Sequence, residues 1–266
     1  MTVRGGKVAR EIMTTNDPAG VPRFRLGLLL WVAGMLGVVA ITFMMLPRLL
    51  GEVPLPAPLW LISLASLAQS ALFLALAVWC GVALTPKVGL GAPAFEAAVT
   101  SRGVAPALRP QLLPGLIAGA LGGAALFAIG GYASPAALAE VQQRFEVPIL
   151  ARVLYGGITE ELLLRWGLMT ALVWVAWRFL QRRQGAPRAV YVWLAIVVSA
   201  LLFGAGHLPA AAMLIGELTS VIVLFVVGVN AVFGVLFGYL FWRYSLEAAM
   251  IAHATAHAVS YVAGLF

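Results

Sequence analysis

The sequence predicts an all-α protein, a polytopic transmembrane helical bundle of about seven spans, six to eight being allowed, with its N-terminus in the cytoplasm. Three observations carry that expectation. Of the 266 residues 62% are hydrophobic and 10% charged, with a mean hydropathy of +1.00, whereas a soluble domain carries charge on about a quarter of its residues. Uncharged runs long enough to cross a hydrocarbon core of about 30 Å recur along the chain. The basic residues fall in short clusters between alternate runs, as the positive-inside rule requires.

The elements follow in order. Residues 1–25 form a basic tail (Arg4, Lys7, Arg10, Arg23, Arg25), too long and too poor in small residues to be a signal peptide. Apolar runs follow at 26–46, 59–84, 111–131, 190–208, 218–242 and 245–264. A further run at 149–177 is as long but carries Arg152, Glu160, Glu161 and Arg165, charges that a lipid-facing helix does not tolerate. Counted as a span, it makes seven and gives basic inner segments (Lys87, Arg102 and Arg109; Arg178, Arg182, Arg183 and Arg188; Arg243) against outer loops with only Arg48 and Arg144. The segment 85–110 is too polar to span and too apolar for a plain loop, and is expected on the inner interface. The net charge of +7 is thereby accounted for by orientation, and a nucleic-acid partner is excluded. Cys80 is the one cysteine, so an internal disulfide is excluded.

All three histidines, His207, His253 and His257, lie in or at the end of apolar spans, as does the acid pair Glu160-Glu161. Ionisable residues at such places are functional candidates, although interhelical hydrogen bonding alone would also account for any single one of them. On a regular helix Arg165 stands about 40° round from Glu161 and about 140° from Glu160. Glu161 is therefore expected to pair with Arg165, leaving Glu160 to exchange a proton as a general base. At 1.5 Å per residue Glu160 and His207 rise ~27 and ~28 Å above the basic turn Arg178 to Arg188, and His257 and His253 ~21 and ~15 Å above Arg243, so the four groups are expected to converge in the outer half of the membrane.

Two chemistries fit. Glu160 with His207 activates a water while His253 and His257 stabilise an oxyanion, or His207, His253, His257 and Glu160 supply ligands to Zn2+. The zinc-peptidase pattern His-Glu-x-x-His is absent, since His253-Ala254-Thr255-Ala256-His257 has no acid inside it.

Three motifs in order resemble the CPBP (CAAX protease and bacteriocin-processing, or Abi) family of intramembrane proteases, which includes the Ras-converting CAAX endopeptidase and the myxosortases. Glu160-Glu161-Leu162-Leu163-Leu164-Arg165 resembles its Glu-Glu-x-x-x-Arg, Phe203-Gly204-Ala205-Gly206-His207 its Phe-x-x-x-His, and Ser245-Leu246 followed by His253 its third, in which His-x-x-x-Asn is usual. The resemblance covers about residues 145–264. It implies an endopeptidase that hydrolyses a bond near the C-terminus of a membrane-anchored protein or peptide, with Glu160 and His207 on the water, His253 at the oxyanion, and Glu161, Arg165 and Phe203 in support. His257 stands where the family has asparagine, which keeps zinc open as the alternative to the preferred metal-free mechanism. The division expected is a tail at 1–25, N-terminal transmembrane helices at 26–140 and a CPBP-like catalytic core at 141–266. The chain is expected in the bacterial cytoplasmic (inner) membrane, with the bilayer and the substrate as partners. The competing class is a non-enzymatic scaffold, immunity protein or transporter that uses the polar cluster for binding.

Overall fold

The computed structural model describes residues 20–51 and 55–265, apart from the side chain of Gln142. Arg4, Lys7 and Arg10 of the basic tail lie outside the described residues, whereas Arg23 and Arg25 open the first helix. Among the described residues there are helices and no strands.

Each predicted span is met by a helix. They are α1 (Arg23–Met44, continued by the turn Leu46–Leu50), α2 (Leu59–Val88), the short α3 (Pro93–Val99), α4 (Val104–Tyr132), α5 (Ala136–Arg144), α6 (the continuous helical stretch Ile149–Leu180), α7 (Ala189–Gly206), α8 (Leu208–Ile215), α9 (Ser220–Arg243) and α10 (Leu246–Ala263). Six of the helical stretches are long and apolar enough to cross a membrane, and α10, 18 residues long, is the seventh span read from the sequence. The segment 85–110 is largely helical: α2 runs through Pro86 to Val88, α3 follows, and α4 begins at Val104.

The apolar surface explains the solvent this bundle needs. Leu36, Leu121, Leu224 and Val232 are 55–74% exposed in mid-helix, and with backbone groups satisfied inside helices such a belt suits hydrocarbon. Burial is concentrated on α6, which packs against α1, α2, α7, α9 and α10. Its polar side chains reach backbone carbonyls of three neighbours: Thr159 donates to Gly34 at 2.7 Å, Trp166 to Val78 at 3.1 Å and Arg165 to Gly234 at 3.2 Å. Interhelical bonds of this kind contribute about 0.6–2 kcal/mol each in a membrane.

Small residues set the helix spacing. On α4, Gly115, Gly119 and Gly123 stand at four-residue intervals against α10, where an added Cβ would lie 2.8 Å from Ile251, 2.5 Å from Thr255 and 2.6 Å from Val259. Between α7 and α9, Gly204 meets the Val227 carbonyl and Gly234 meets Ala200 in the same way. Backbone-to-backbone approach through such residues replaces the hydrophobic drive that lipid removes.

Candidate active site

The acid pair sits where α6 departs from regular α-helical geometry. Arg152–Glu160 and Leu162–Met169 are π-helical, with Glu161 between them. Hydrogen bonding from i to i+5 widens the turn, a feature frequent at functional sites. The Glu161 and Arg165 side chains are buried, at 0% and 1% exposure, with Arg165 Nη1 3.2 Å from Glu161 Oε1. The guanidinium lies over the rings of Phe203 and Phe237, at 4.9 and 5.5 Å from their centroids. Planar cation and aromatic faces thereby share the charge that burial would otherwise leave uncompensated.

The same Glu161 oxygen accepts from His253 Nδ1 at 2.8 Å. That bond fixes the imidazole so that its Nε2 faces Glu160 Oε2 at 3.9 Å. Phe237 stacks on the His253 ring, centroids 4.3 Å apart at 20°, and His257 stacks on it at 4.9 Å and 28°.

His207 is oriented by a break in its helix. Its backbone N–H bonds to Gly204 at 3.1 Å rather than to Phe203 one residue earlier, and Pro209 follows within the first turn of α8. The freed Phe203 carbonyl accepts from His207 Nδ1 at 2.8 Å. A carbonyl can only accept, so Nδ1 carries the proton and the Nε2 lone pair is left to face Glu160 Oε1 at 4.0 Å. Phe203 stands edge-on to His207, centroids 4.8 Å apart. The Glu160 carboxylate thus has one imidazole Nε2 at each oxygen, and it is 16% exposed beside a His207 that is 36% exposed.

The structure therefore brings Glu160, His207 and His253 together, with Glu161, Arg165 and Phe203 behind them. His257 joins through its stacking on His253, one turn along α10, with Nε2 against Gly156 and no hydrogen-bond partner for Nδ1 among the described residues. Gly156 is a site residue that the sequence reading passed over: a Cβ there would lie 2.7 Å from His257 Nε2 and 3.4 Å from His253 Nε2. Glu247 was passed over as well. It is buried at the start of α10 and accepts from the backbone N–H groups of Ala94 and Phe95, at 2.7 and 3.1 Å, tying α10 to α3. An acid at the start of an apolar span is the signal that could have found it.

Among the described residues no group of three or more His, Cys, Asp or Glu side chains is placed to hold a metal ion. The Nδ1 atoms of His207 and His253 are engaged by Phe203 and Glu161. Those bonds leave the Nε2 atoms of both histidines free on the side of Glu160, and no step is derived through a metal.

Residues 142–259 match the family model described as type II CAAX prenyl endopeptidase, Rce1-like. Those residues are similar to the Rce1-like family. The match begins just before α6, ends within α10 and takes in the whole cluster around Glu160. That similarity supports an intramembrane endopeptidase of CAAX type in general, and the six long apolar helical stretches support an integral, multi-pass membrane protein. No curated protein and no solved structure matches the chain.

Proposed function

We propose that the protein cleaves a peptide bond near the C-terminus of a membrane-anchored substrate, of the prenylated CAAX kind or a relative of it, by a glutamate-dependent and metal-free mechanism. The observation that carries this reading is the Glu160 carboxylate flanked by the Nε2 atoms of His207 and His253 at 4.0 and 3.9 Å. Those separations are too long for direct hydrogen bonds and fit one bridging water. The His207 Nε2 lone pair and Glu160 orient that water, and Glu160 takes its proton as the oxygen attacks the scissile carbonyl. His253, held at Nδ1 by Glu161, turns Nε2 to the oxyanion and donates to it when it carries the proton that it shares with Glu160. Glu160 then delivers the proton to the leaving nitrogen as the C–N bond breaks, giving a carboxylic acid and an amine, and passage of the acid proton to the amine leaves a carboxylate and an ammonium group. The asymmetry of basic residues favours a cytoplasmic N-terminus, with this cluster in the outer half of the membrane.

The test is cleavage of a prenylated peptide ending in the CAAX pattern by purified protein in vesicles. Glu160→Gln and His207→Asn are each expected to abolish cleavage while the protein stays folded and membrane-inserted. Cleavage at the parent rate by either variant would refute the assignment.

A further inference from the structure

The cluster around Glu160 has more acceptors than donors. His253 gives its Nδ1 proton to Glu161 at 2.8 Å, so the neutral imidazole shows a lone pair at Nε2. His207 shows one as well, because its Nδ1 donates to the Phe203 carbonyl. Both lone pairs face Glu160, and neither nitrogen can hold an oxyanion until it has taken up a proton. Attack on an amide builds negative charge on the carbonyl oxygen, where a donor already in place contributes most.

Tyr155 carries such a donor. It precedes Glu160 by five residues, which on a regular helix would set the two about 140° apart. In the π-helical stretch Arg152–Glu160 the backbone bonds run from i to i+5, and positions five apart come to one side of the helix, as positions four apart do in an α-helix. Tyr155 thereby shares the Glu160 side of α6, one turn nearer its start. Its ring is half-buried against the main core cluster, and the Glu160 charge acts on its hydroxyl. A buried tyrosine hydroxyl usually has a hydrogen-bond partner. Among the described residues this one has none, and its oxygen is not sealed in the core. Gly156, next in the chain, leaves the adjoining space bare: a Cβ there would lie 3.4 Å from His253 Nε2. Glu160, His253 Nε2 and the backbone beside Tyr155 thus border one small volume.

We propose that Tyr155 is a further catalytic residue, whose hydroxyl donates a hydrogen bond to the carbonyl oxygen of the scissile bond as that oxygen becomes negative. This rests on the reading of Glu160 as the base. The proton balance is unchanged: the water proton passes to Glu160 and on to the leaving nitrogen, while Tyr155 keeps its own. The hydroxyl is a neutral donor that borrows no proton from Glu160, and it complements His253, which donates only in its protonated form.

The test compares the full-length parent with Tyr155→Phe in vesicles, since phenylalanine keeps the ring and its packing and removes the hydroxyl alone. The probes are a prenylated peptide ending in the CAAX pattern and the same peptide with a tetrahedral phosphonate in place of the scissile amide. Loss of one oxyanion donor predicts a kcat about a hundredfold lower with KM within about twofold, and phosphonate affinity reduced by about the same factor as kcat/KM. The unfolding temperature in detergent is expected to match that of the parent. Cleavage by Tyr155→Phe at the parent rate, beside an inactive Glu160→Gln, overturns the proposal and leaves the protease reading intact. A raised KM with unchanged kcat, undiminished phosphonate affinity, or a loss of activity matched by a loss of stability also overturns it, the last marking a structural role. A parent that does not cleave the peptide overturns the proposal together with the reading on which it rests.

Discussion

Glu161 and His253, 92 residues apart in the chain, meet at 2.8 Å through Oε1 and Nδ1, and the same oxygen lies 3.2 Å from Arg165 Nη1. One carboxylate therefore balances a buried guanidinium and sets the direction of an imidazole. The two duties are separable by substitution. Glu161→Gln keeps the shape and a carbonyl oxygen for His253 but removes the carboxylate that holds its Nδ1–H and balances Arg165, and cleavage is expected to fall at least about a hundredfold. Glu161→Ala also strands Arg165, a defect of about 3–5 kcal/mol that thermal unfolding in detergent will register. A Glu161→Ala protein as stable as the parent would show that the pair does not bear on folding.

Gly156 should resist even the smallest enlargement. A methyl group at that position falls 2.7 Å from His257 Nε2 and 2.9 Å from its Cδ2, and the His257 ring in turn stacks on His253. Gly156→Ala is expected to cost cleavage at least tenfold, because both rings must shift, with a stability loss of about 1–3 kcal/mol. Retained activity would mean that the two rings have slack.

His257 separates the mechanisms. If stacking on His253 and hydrogen bonding are its whole contribution, His257→Asn keeps a large part of the activity, and purified parent protein carries no stoichiometric zinc. A dead Asn variant beside one zinc per chain by metal analysis would overturn the glutamate mechanism.

Glu247 is expected to matter for stability before chemistry. Removing its carboxylate orphans the buried N–H groups of Ala94 and Phe95, at about 1–3 kcal/mol for each donor. Glu247→Ala should lower the unfolding temperature and increase proteolysis of the stretch 89–103, while the variant that remains folded still cleaves.

The spans were legible because hydropathy and charge placement are properties of the sequence itself: the run at 149–177 read as a span despite four charges lies within α6, Ile149–Leu180. The π-helical turns were not legible, since no local residue pattern distinguishes them from the regular helix that the span implies. Counting on a regular helix placed Glu161 with Arg165, and that pair lies at 3.2 Å even though the turn is wider. What counting could not supply was the link from Glu161 to His253, which joins two spans far apart in the chain, nor the Phe203 carbonyl on His207, which depends on where α7 breaks. Glycines were read as packing residues in general. That Gly156 meets the histidines, while Gly115, Gly119 and Gly123 meet the back of α10, needed coordinates.

The family match starts at residue 142, yet the helix that lies along the back of α10 comes from before it. The faces of Ile251, Thr255 and Val259 are cut to receive glycines of α4, and Thr159 and Trp166 of α6 donate to carbonyls on α1 and α2. A fragment that begins at residue 142 would therefore carry every group of the cleavage site on helices whose outer walls are missing. Its polar donors would face acyl chains, and His253 would ride on a helix free to roll. Co-expressing residues 1–141 as a separate chain should restore what the shorter fragment loses, so the part of the protein that has no motif is better regarded as a built-in chaperone for the part that does.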